Sequence, residues 1–322
     1  MMMKSEQKKI IEFFRAEDGF TILPHINPDG DAFGSGSALF LVLKALRKRV
    51  QFVVREQIPF MYRTMPLAPC ITKPEQAKAY PNIVCIDISD PSRLECPSLV
   101  QKDSRIIVID HHISNQGFGD LQWIEPKAAA TAEIVYQIAE RLHVPLKGDL
   151  ATCLMLALST DTGHFGFRNT TPRTLQMAAQ LLDNGASIAD VCYDVYHRKT
   201  LGKTKLLGRA IESLEIFCGG KAAMVTITNQ DLLDCGCDQS DCEGLIDVAR
   251  EIDGVEISLM LREKEDGIKG SLRSRNEINV ADLAAQYGGG GHRAASGFTL
   301  KMTLPQAVDE VKQMLERTLG SR

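Results

Sequence analysis

Apolar and polar positions alternate in two regimes along the chain. Over the first two-thirds, short continuous apolar runs are separated by longer stretches with helical spacing. Phe20–Leu23, 51–55, 83–88 and Arg105–Asp110 read as strands, and the last two are apolar throughout, as strands covered on both faces are. Helices are predicted at 32–46, 129–142, 150–158, 174–184 and 188–196, while residues 56–80 carry four Pro without periodicity and read as irregular. The basic stretch 197–205 marks a boundary. After it the pattern predicts a helix at 206–216, a strand at 222–228, a helix at 244–252, strands at 255–261 and 268–273, a helix at 280–287, the strand Ala295–Leu300 and a final helix Leu304–Leu319. The expected fold class is α/β: a doubly wound, mostly parallel sheet domain at 1–196, a linker and connecting helix at 197–216, and a smaller mixed α+β domain at 217–322.

Composition narrows the picture. The 322 residues suggest two domains, at roughly 100–200 residues each. With 44% hydrophobic and 24% charged residues the chain can bury an ordinary soluble core. A net charge of −4 argues against general binding of long duplex nucleic acid, while leaving room for a local basic cleft. No stretch reaches the ~18 apolar residues of a membrane span, and the start lacks a signal-peptide core, so no membrane association is expected. Nine Cys, mostly in strand- or helix-like surroundings, suit free thiols and a cytoplasmic location.

Chemistry concentrates where strands end. After Phe20–Leu23 come Pro24 and His25-Ile-Asn-Pro-Asp29-Gly-Asp31, a turn leading into a helix. Ligands of open α/β sheets bind at that edge. Two carboxylates so close invite a divalent cation, because imidazole and carboxylate suit Mn, Zn, Fe or Mg. The same residues equally suit an Asx-rich turn that caps the helix. The third strand ends in Asp87 and the fourth in Asp110-His111-His112; Asp161 begins a turn just past the apolar helix 150–158. If these ends converge, His25, Asp29, Asp31, Asp87, His111 and Asp161 supply six donors, enough for two divalent ions sharing a carboxylate, the arrangement that clamps in-line attack on phosphorus. Farther along, Gly288-Gly289-Gly290-Gly291-His292 offers backbone N–H groups unobstructed by side chains, and Arg273-Ser274 closes a strand upstream.

These segments resemble, in order and rough spacing, the motifs of the DHH phosphoesterase superfamily: His25-Ile-Asn-Pro-Asp-Gly-Asp31 the first, Asp87 within Ile-Asp-Ile-Ser-Asp the second, Asp110-His111-His112 the third and Asp161-Thr-Gly the fourth. The Gly-rich loop with His292 is similar to the superfamily's associated substrate-binding domain. The resemblance covers residues 20–300. Size and layout are similar to the stand-alone members that degrade very short oligoribonucleotides, many of which also dephosphorylate 3′-phosphoadenosine 5′-phosphate.

What the resemblance implies can be set out by residue. His25, Asp29, Asp87 and Asp161 would hold one metal, and Asp31, Asp87, His111 and Asp161 the other, with Asp87 as bridge and manganese, two ions, as the usual cofactor; Mg or another divalent ion is the alternative. Catalytic duties would fall on Asp87, Asp110, His111 and His112, with Asp110 orienting the His pair and His112 facing the scissile phosphate. Arg273, Ser274, Gly289, Gly290 and His292 would bind substrate, a short RNA or nucleotide. Dimers through the first domain occur among such proteins, so a homodimer is an expected assembly that nothing in this sequence shows. Two other functions are open: hydrolysis of inorganic polyphosphate, and a nucleotide-binding regulator without turnover. Arg93 and Arg275 read as solvated side chains, His143 and His197 as surface groups, and His164 as structural. The cluster Cys235-Gly-Cys237 with Cys242 departs from the family pattern and lacks a fourth ligand for zinc.

Overall fold

A computed structural model gives the fold for residues 5–275 and 278–320. The chain separates into two compact units between Arg198 and Lys199.

The first unit is a six-stranded parallel sheet. Its strands are β1 (Phe20–Leu23), β2 (Val50–Val53), β3 (Ile71–Thr72), β4 (Asn82–Ile86), β5 (Arg105–Asp110) and β6 (Leu121–Ile124). Their spatial order is β3-β2-β1-β4-β5-β6, and every pairing is parallel. The order therefore reverses beside β1, whose neighbours are β2 on one side and β4 on the other. Loops leaving β1 and β4 diverge at such a point and open a crevice at the carboxyl ends of the strands. Six helices accompany the sheet: α1 (Ser5–Ala16), α2 (Gly30–Ala45), α3 (Thr131–Arg141), α4 (Asp149–Asp161), α5 (Pro172–Asp183) and α6 (Ile188–Cys192). Helix α2 is apolar on nearly every side and is buried from Gly30 to Leu39, as such a helix must be. Phe14, Phe20, Phe33, Phe52 and Trp123 fill the core around it.

The second unit holds a mixed sheet of β7 (Glu215–Phe217), β8 (Ala222–Ile227), β9 (Ile257–Lys264), β10 (Gly267–Ser274), β11 (Gly290–His292) and β12 (Ala295–Leu300), in the order β11-β12-β10-β9-β8-β7. Helices α7 (Leu201–Glu212), α8 (Asn229–Cys235), α9 (Asp247–Arg250), α10 (Val280–Ala285) and α11 (Leu304–Leu319) cover it. Side chains alternate across β9: Leu259 and Leu261 join the core with Val311 and Leu315 of α11, while Met260 joins the core with Leu206 of α7.

The fold class matches the expectation, and several elements differ from it. The helix expected at 206–216 is α7 followed by β7, because Thr200 caps a start five residues earlier by accepting from Lys203 N at 3.0 Å. Helix 244–252 shrinks to α9. The strand β6 and helices α1 and α8 have no counterpart in the expectation, and the irregular stretch 56–80 contains the short strand β3. Half of the glycine run is a strand, β11, paired with β12 through Gly290↔Gly297 and His292↔Ala295. Asp161 does not begin a turn; it is the last residue of α4, near whose end the Thr160 and Thr162 hydroxyls donate to Leu156 O and Leu158 O. All nine Cys are free thiols. Among the described residues no helix is long and apolar enough to cross a membrane.

Candidate metal centre

The turn after β1 is stapled to the segment after β4. Ile26 N donates to Arg93 O at 2.8 Å, and Glu95 N donates to Pro24 O at 2.9 Å. Asn27 adopts φ 54°, which Asn tolerates better than most residues. Asp29 then caps α2, its Oδ1 accepting from Asp31 N and Ala32 N at 3.0 Å each. The helix-capping reading of this turn is thus correct, and it leaves the second carboxylate oxygen of Asp29 uncommitted to the cap. Asp31 follows inside the first turn and is buried. Its Oδ1 accepts from Ser35 Oγ at 2.6 Å and Ala132 N at 3.2 Å, and its Oδ2 from Thr131 N at 2.6 Å. The amino end of α3 therefore points at the carboxylate, where a helix favours negative charge.

Asp87 sits just past β4 in the left-handed region at φ 55°, a strained conformation for a residue with a Cβ. Its amide donates to Ile109 O at 2.9 Å, and Thr131 Oγ1 donates to its Oδ1 at 2.9 Å. The two His that follow β5 are held differently. His111 Nδ1 is 3.1 Å from Ala128 O; a carbonyl only accepts, so Nδ1 carries the proton and Nε2 presents its lone pair. By the same argument His25, with Nδ1 2.9 Å from Ile26 O, presents Nε2. His112 turns Nδ1 to Asp110 Oδ1 at 2.6 Å, and Asn115 Nδ2 donates to Asp110 Oδ2 at 2.7 Å.

All six expected ligands converge. His25 Nε2 lies 3.7 Å from Asp87 Oδ2. His111 Nε2 lies 3.2 Å from Asp161 Oδ2, 3.8 Å from Asp31 Oδ2 and 3.8 Å from Asp87 Oδ1. Donor atoms fall into three groups, each within 4.8 Å: His25, Asp29 and Asp87; Asp31, His111 and Asp161; and Asp87, His111 and His112. His112 is the weakest candidate of these, since the Nδ1 that approaches Asp87 at 3.7 Å is already engaged by Asp110.

The donor set fits divalent cations. Lone pairs facing carboxylate oxygens at these distances repel unless positive charge lies between them. Ligand atoms bound at about 2.0–2.2 Å to one ion stand about 3–4 Å apart, the spacing seen here. Burial raises the Asp31 carboxyl well above the usual carboxylate range, and the neighbouring Asp87, Asp161 and Asp29 add to it. Asp87 is raised in the same way, by burial and then by Asp29, Asp161 and Asp110. Asp161 is pushed up to about 6, by burial first, with His111 opposing. Apart from the imidazoles, their partners are hydroxyls and backbone N–H groups, so a divalent cation among these carboxyls would supply the charge that keeps them ionised. Asp110 behaves oppositely. Burial works to raise it, yet the hydrogen bonds from His112 and Asn115 and the His112 charge outweigh burial and hold it below the ordinary range. His112 is raised in return, chiefly by its hydrogen bond to Asp110.

In the second unit Arg273 lies near the end of β10, half-buried, with Nη1 donating to Leu272 O at 3.0 Å. Burial pulls its pKa down. The Ser274 hydroxyl is taken by Ile278 O at 2.8 Å. Gly289 is required by close approach: a Cβ there would meet Gly297 O at 2.2 Å. Gly290 pairs with β12, and the side chain of His292 lies outside the described residues. Arg93, Arg275, His143 and His197 are exposed; His164 Nδ1 pairs with Ser159 Oγ at 3.0 Å. Among the described residues the Cys235, Cys237 and Cys242 thiols form no metal-ligand group, and Cys242 is buried in the apolar core with Val225 and Met260.

Comparison with known proteins places this arrangement. The model of the DHH family, N-terminal domain, matches residues 19–158, and that of the DHHA1 domain matches 219–321. A bifunctional oligoribonuclease and PAP phosphatase NrnA of Thermus thermophilus is 32% identical over 317 residues, 98% of this chain and 94% of the relative. The chain belongs to the DHH family of phosphoesterases. The corresponding NrnA of Bacillus subtilis is 27% identical over 302 residues, 92% of this chain and 93% of the relative. The crystal structure of an exopolyphosphatase-related protein from Bacteroides fragilis superposes with TM-score 0.91 at 26% identity, covering 99% of each chain. As in other DHH phosphoesterases the chemistry is metal-dependent hydrolysis, and this chain has the His and Asp groups to support it.

Sequence reasoning missed Thr131, Ser35 and Asn115, which hold the DHH carboxylates in place. Thr131 stands in an alanine run and carries no periodic signal.

Proposed function

We propose that this phosphoesterase hydrolyses very short oligoribonucleotides, linear dinucleotides included, to mononucleotides, and that it also dephosphorylates 3′-phosphoadenosine 5′-phosphate, with two manganese ions as cofactor. The observation that carries the reading is the convergence of His25, Asp29, Asp31, Asp87, His111 and Asp161 at the switch point of the sheet. The two relatives above, each aligned over nine-tenths of the chain, are named for both activities.

Each residue has a distinct task. His25, Asp29 and Asp87 would hold one ion, and Asp31, His111 and Asp161 the second, with Asp87 between them. Bound there, the cations would supply Lewis acidity toward phosphoryl oxygens and water and offset the charge that develops at phosphorus. Thr131 fixes Asp87, and the amino end of α3 fixes Asp31. Asp110 accepts from His112 Nδ1–H and favours the imidazolium form, whose Nε2–H would then be free to donate to a phosphate oxygen. Arg273 is assigned to a phosphate through its fork of donors, Gly289 and Gly290 to close backbone approach, and Ser274 and His292 to the same substrate.

The test is a panel of a linear dinucleotide, longer RNA, 3′-phosphoadenosine 5′-phosphate, a cyclic dinucleotide and inorganic polyphosphate, each with manganese and each with chelator. Turnover of the dinucleotide and of 3′-phosphoadenosine 5′-phosphate with manganese alone is expected, and Asp87→Ala should abolish it in a folded protein. Turnover of polyphosphate and not of the dinucleotide would replace the substrate. Near-normal dinucleotide hydrolysis by Asp87→Ala would remove the metal assignment.

A further inference from the structure

The strands of the first unit have a second, amino-terminal edge, opposite the one that carries the DHH acids. There the loop from α2 to β2 and the segment between β3 and β4 border an open groove of about 610 Å³. Small-molecule sites commonly have volumes of about 300–1,000 Å³. Five cations line it, Lys44, Arg47, Lys48, Arg49 and Lys78, together with Tyr80 and no acidic side chain. This concentration of positive charge occurs on a chain of net charge −4.

Three of the cations have partners, Lys44 among them, its Nζ over the Phe40 ring at 5.8 Å. Arg49 meets Asp18 at 2.7 Å and lies over the Tyr80 ring at 5.7 Å, while Lys48 Nζ donates to Arg15 O at 2.7 Å. Lys44, Arg47 and Lys78 are exposed and form no ion pair among the described residues. Complementing the carboxyl end of α2 would account for Lys44. It does not account for Lys78, which comes from another segment, nor for the backbone of Arg47. Arg47 follows the α2 C-cap at φ 62°, with its amide on Lys44 O and that of Lys48 on Leu43 O. Gly is the favoured residue at that position, and Asn sometimes takes it. His143 ends α3 with the same backbone, at φ 58° and with the same pair of amide bonds, so this conformation marks a helix stop, and Arg47 matters to the groove through its charge.

We propose that this groove binds a chain of phosphate groups on a free small molecule, a nucleoside triphosphate or inorganic tripolyphosphate, at a site separate from the metal centre. Lys44, Arg47 and Lys78 supply the charges that have no ion pair among the described residues, and Arg49, braced by Asp18 and stacked on Tyr80, adds a fixed guanidinium. The inference does not depend on the substrate of the metal centre. Helix α2 joins the two places, with Asp31 in its first turn and Lys44 in its last.

The experiment is titration calorimetry in chelator, without divalent cation, using tripolyphosphate and ATP in separate runs. Wild type is compared with Arg47→Gly/Lys78→Gln and with Arg273→Ala. Arg47→Gly suits the left-handed backbone, so the double variant should keep its fold, as circular dichroism would verify; Lys44→Gln serves as a second variant. Saturable one-site binding is expected, weakened about tenfold in the double variant, weakened further by added salt, and unchanged in Arg273→Ala. Equal affinity for both ligands assigns recognition to the phosphates alone; tighter ATP binding adds a contact to the nucleoside. Absence of saturable binding, loss only in Arg273→Ala, or binding of single-stranded RNA but of neither small ligand would overturn the proposal.

Discussion

Thr131→Val is the sharpest test of how the acids are held. The side chain is fully buried, and its hydroxyl donates to Asp87 Oδ1 at 2.9 Å. Valine keeps the shape and keeps the backbone N–H that Asp31 Oδ2 accepts at 2.6 Å. The change therefore removes one hydrogen bond and leaves little cavity. In the metal-loaded protein that bond reaches an ionised carboxylate, worth about 1.5–3 kcal/mol, or roughly 10–150-fold in an equilibrium constant. Groups that orient metal ligands typically contribute about 10–100-fold in metal affinity or activity, which agrees. In the metal-free protein the Asp87 carboxyl is pushed toward its neutral form, so the same bond is worth only about 1 kcal/mol. Binding reads the difference between the two, about 0.5–2 kcal/mol, so cation affinity by titration calorimetry should fall by about 2–30-fold, while the metal-free melting temperature moves by only a few degrees. Thr131→Ser should restore affinity. Cation binding by Thr131→Val within twofold of wild type, in a folded protein, would refute the reasoning, as would Thr131→Ser failing as badly as Val.

Gly34→Ala should destabilise the first unit by about 1–3 kcal/mol, because the added Cβ would lie 2.5 Å from Cys153 O and 2.8 Å from the Ala157 Cβ of α4; calorimetric melting reads the loss, and an unchanged midpoint would contradict that close approach. Burial pushes the Cys70 thiol up to about 11 and Cys85 to about 12, so iodoacetamide at pH 8 should label neither until the protein is unfolded, and rapid native labelling of Cys85 would contradict this. Burial works to raise Glu125, but Arg173 at 2.6 Å, Gln137 and Trp123 outweigh it and hold its folded pKa below the ordinary 4.5. A depressed folded pKa gives stability that is complete above the unfolded value and disappears as pH falls through the folded one. The advantage of wild type over Glu125→Gln, about 1 kcal/mol or less for this partly exposed pair, should accordingly be present at pH 7 and shrink below about pH 4.5; a constant gap down to pH 2 would oppose the assignment.

The sequence was most legible where one local force dominates. Continuous apolar runs gave β1 and β5 their extent, and helical spacing gave α11 its bounds. The acids and imidazoles were visible because they interrupt such runs. Elements whose identity depends on distant partners were not visible. Helix α1 buries only Ile10, Ile11 and Phe14 in a largely charged sequence, and β6 is a short edge strand that exists through its pairing with β5. Position 161 was misjudged because α4 runs three residues past the point where its apolar pattern ends. The supports of the site, Thr131 and Asn115, act through hydrogen bonds to distant partners, which leave no periodic trace.

The spread of the DHH acids and imidazoles over four separate stretches of chain has a cost and a use. An unfolded polypeptide cannot gather them, so bound cation favours the native form alone; at a hundred times its dissociation constant it would add about 2.7 kcal/mol of stability. The empty form keeps its crowded carboxyls buried and pushed toward the neutral form. Scarcity of divalent ion would therefore shorten the lifetime of the protein as well as silence it, and chelation would act on it as a mild denaturant.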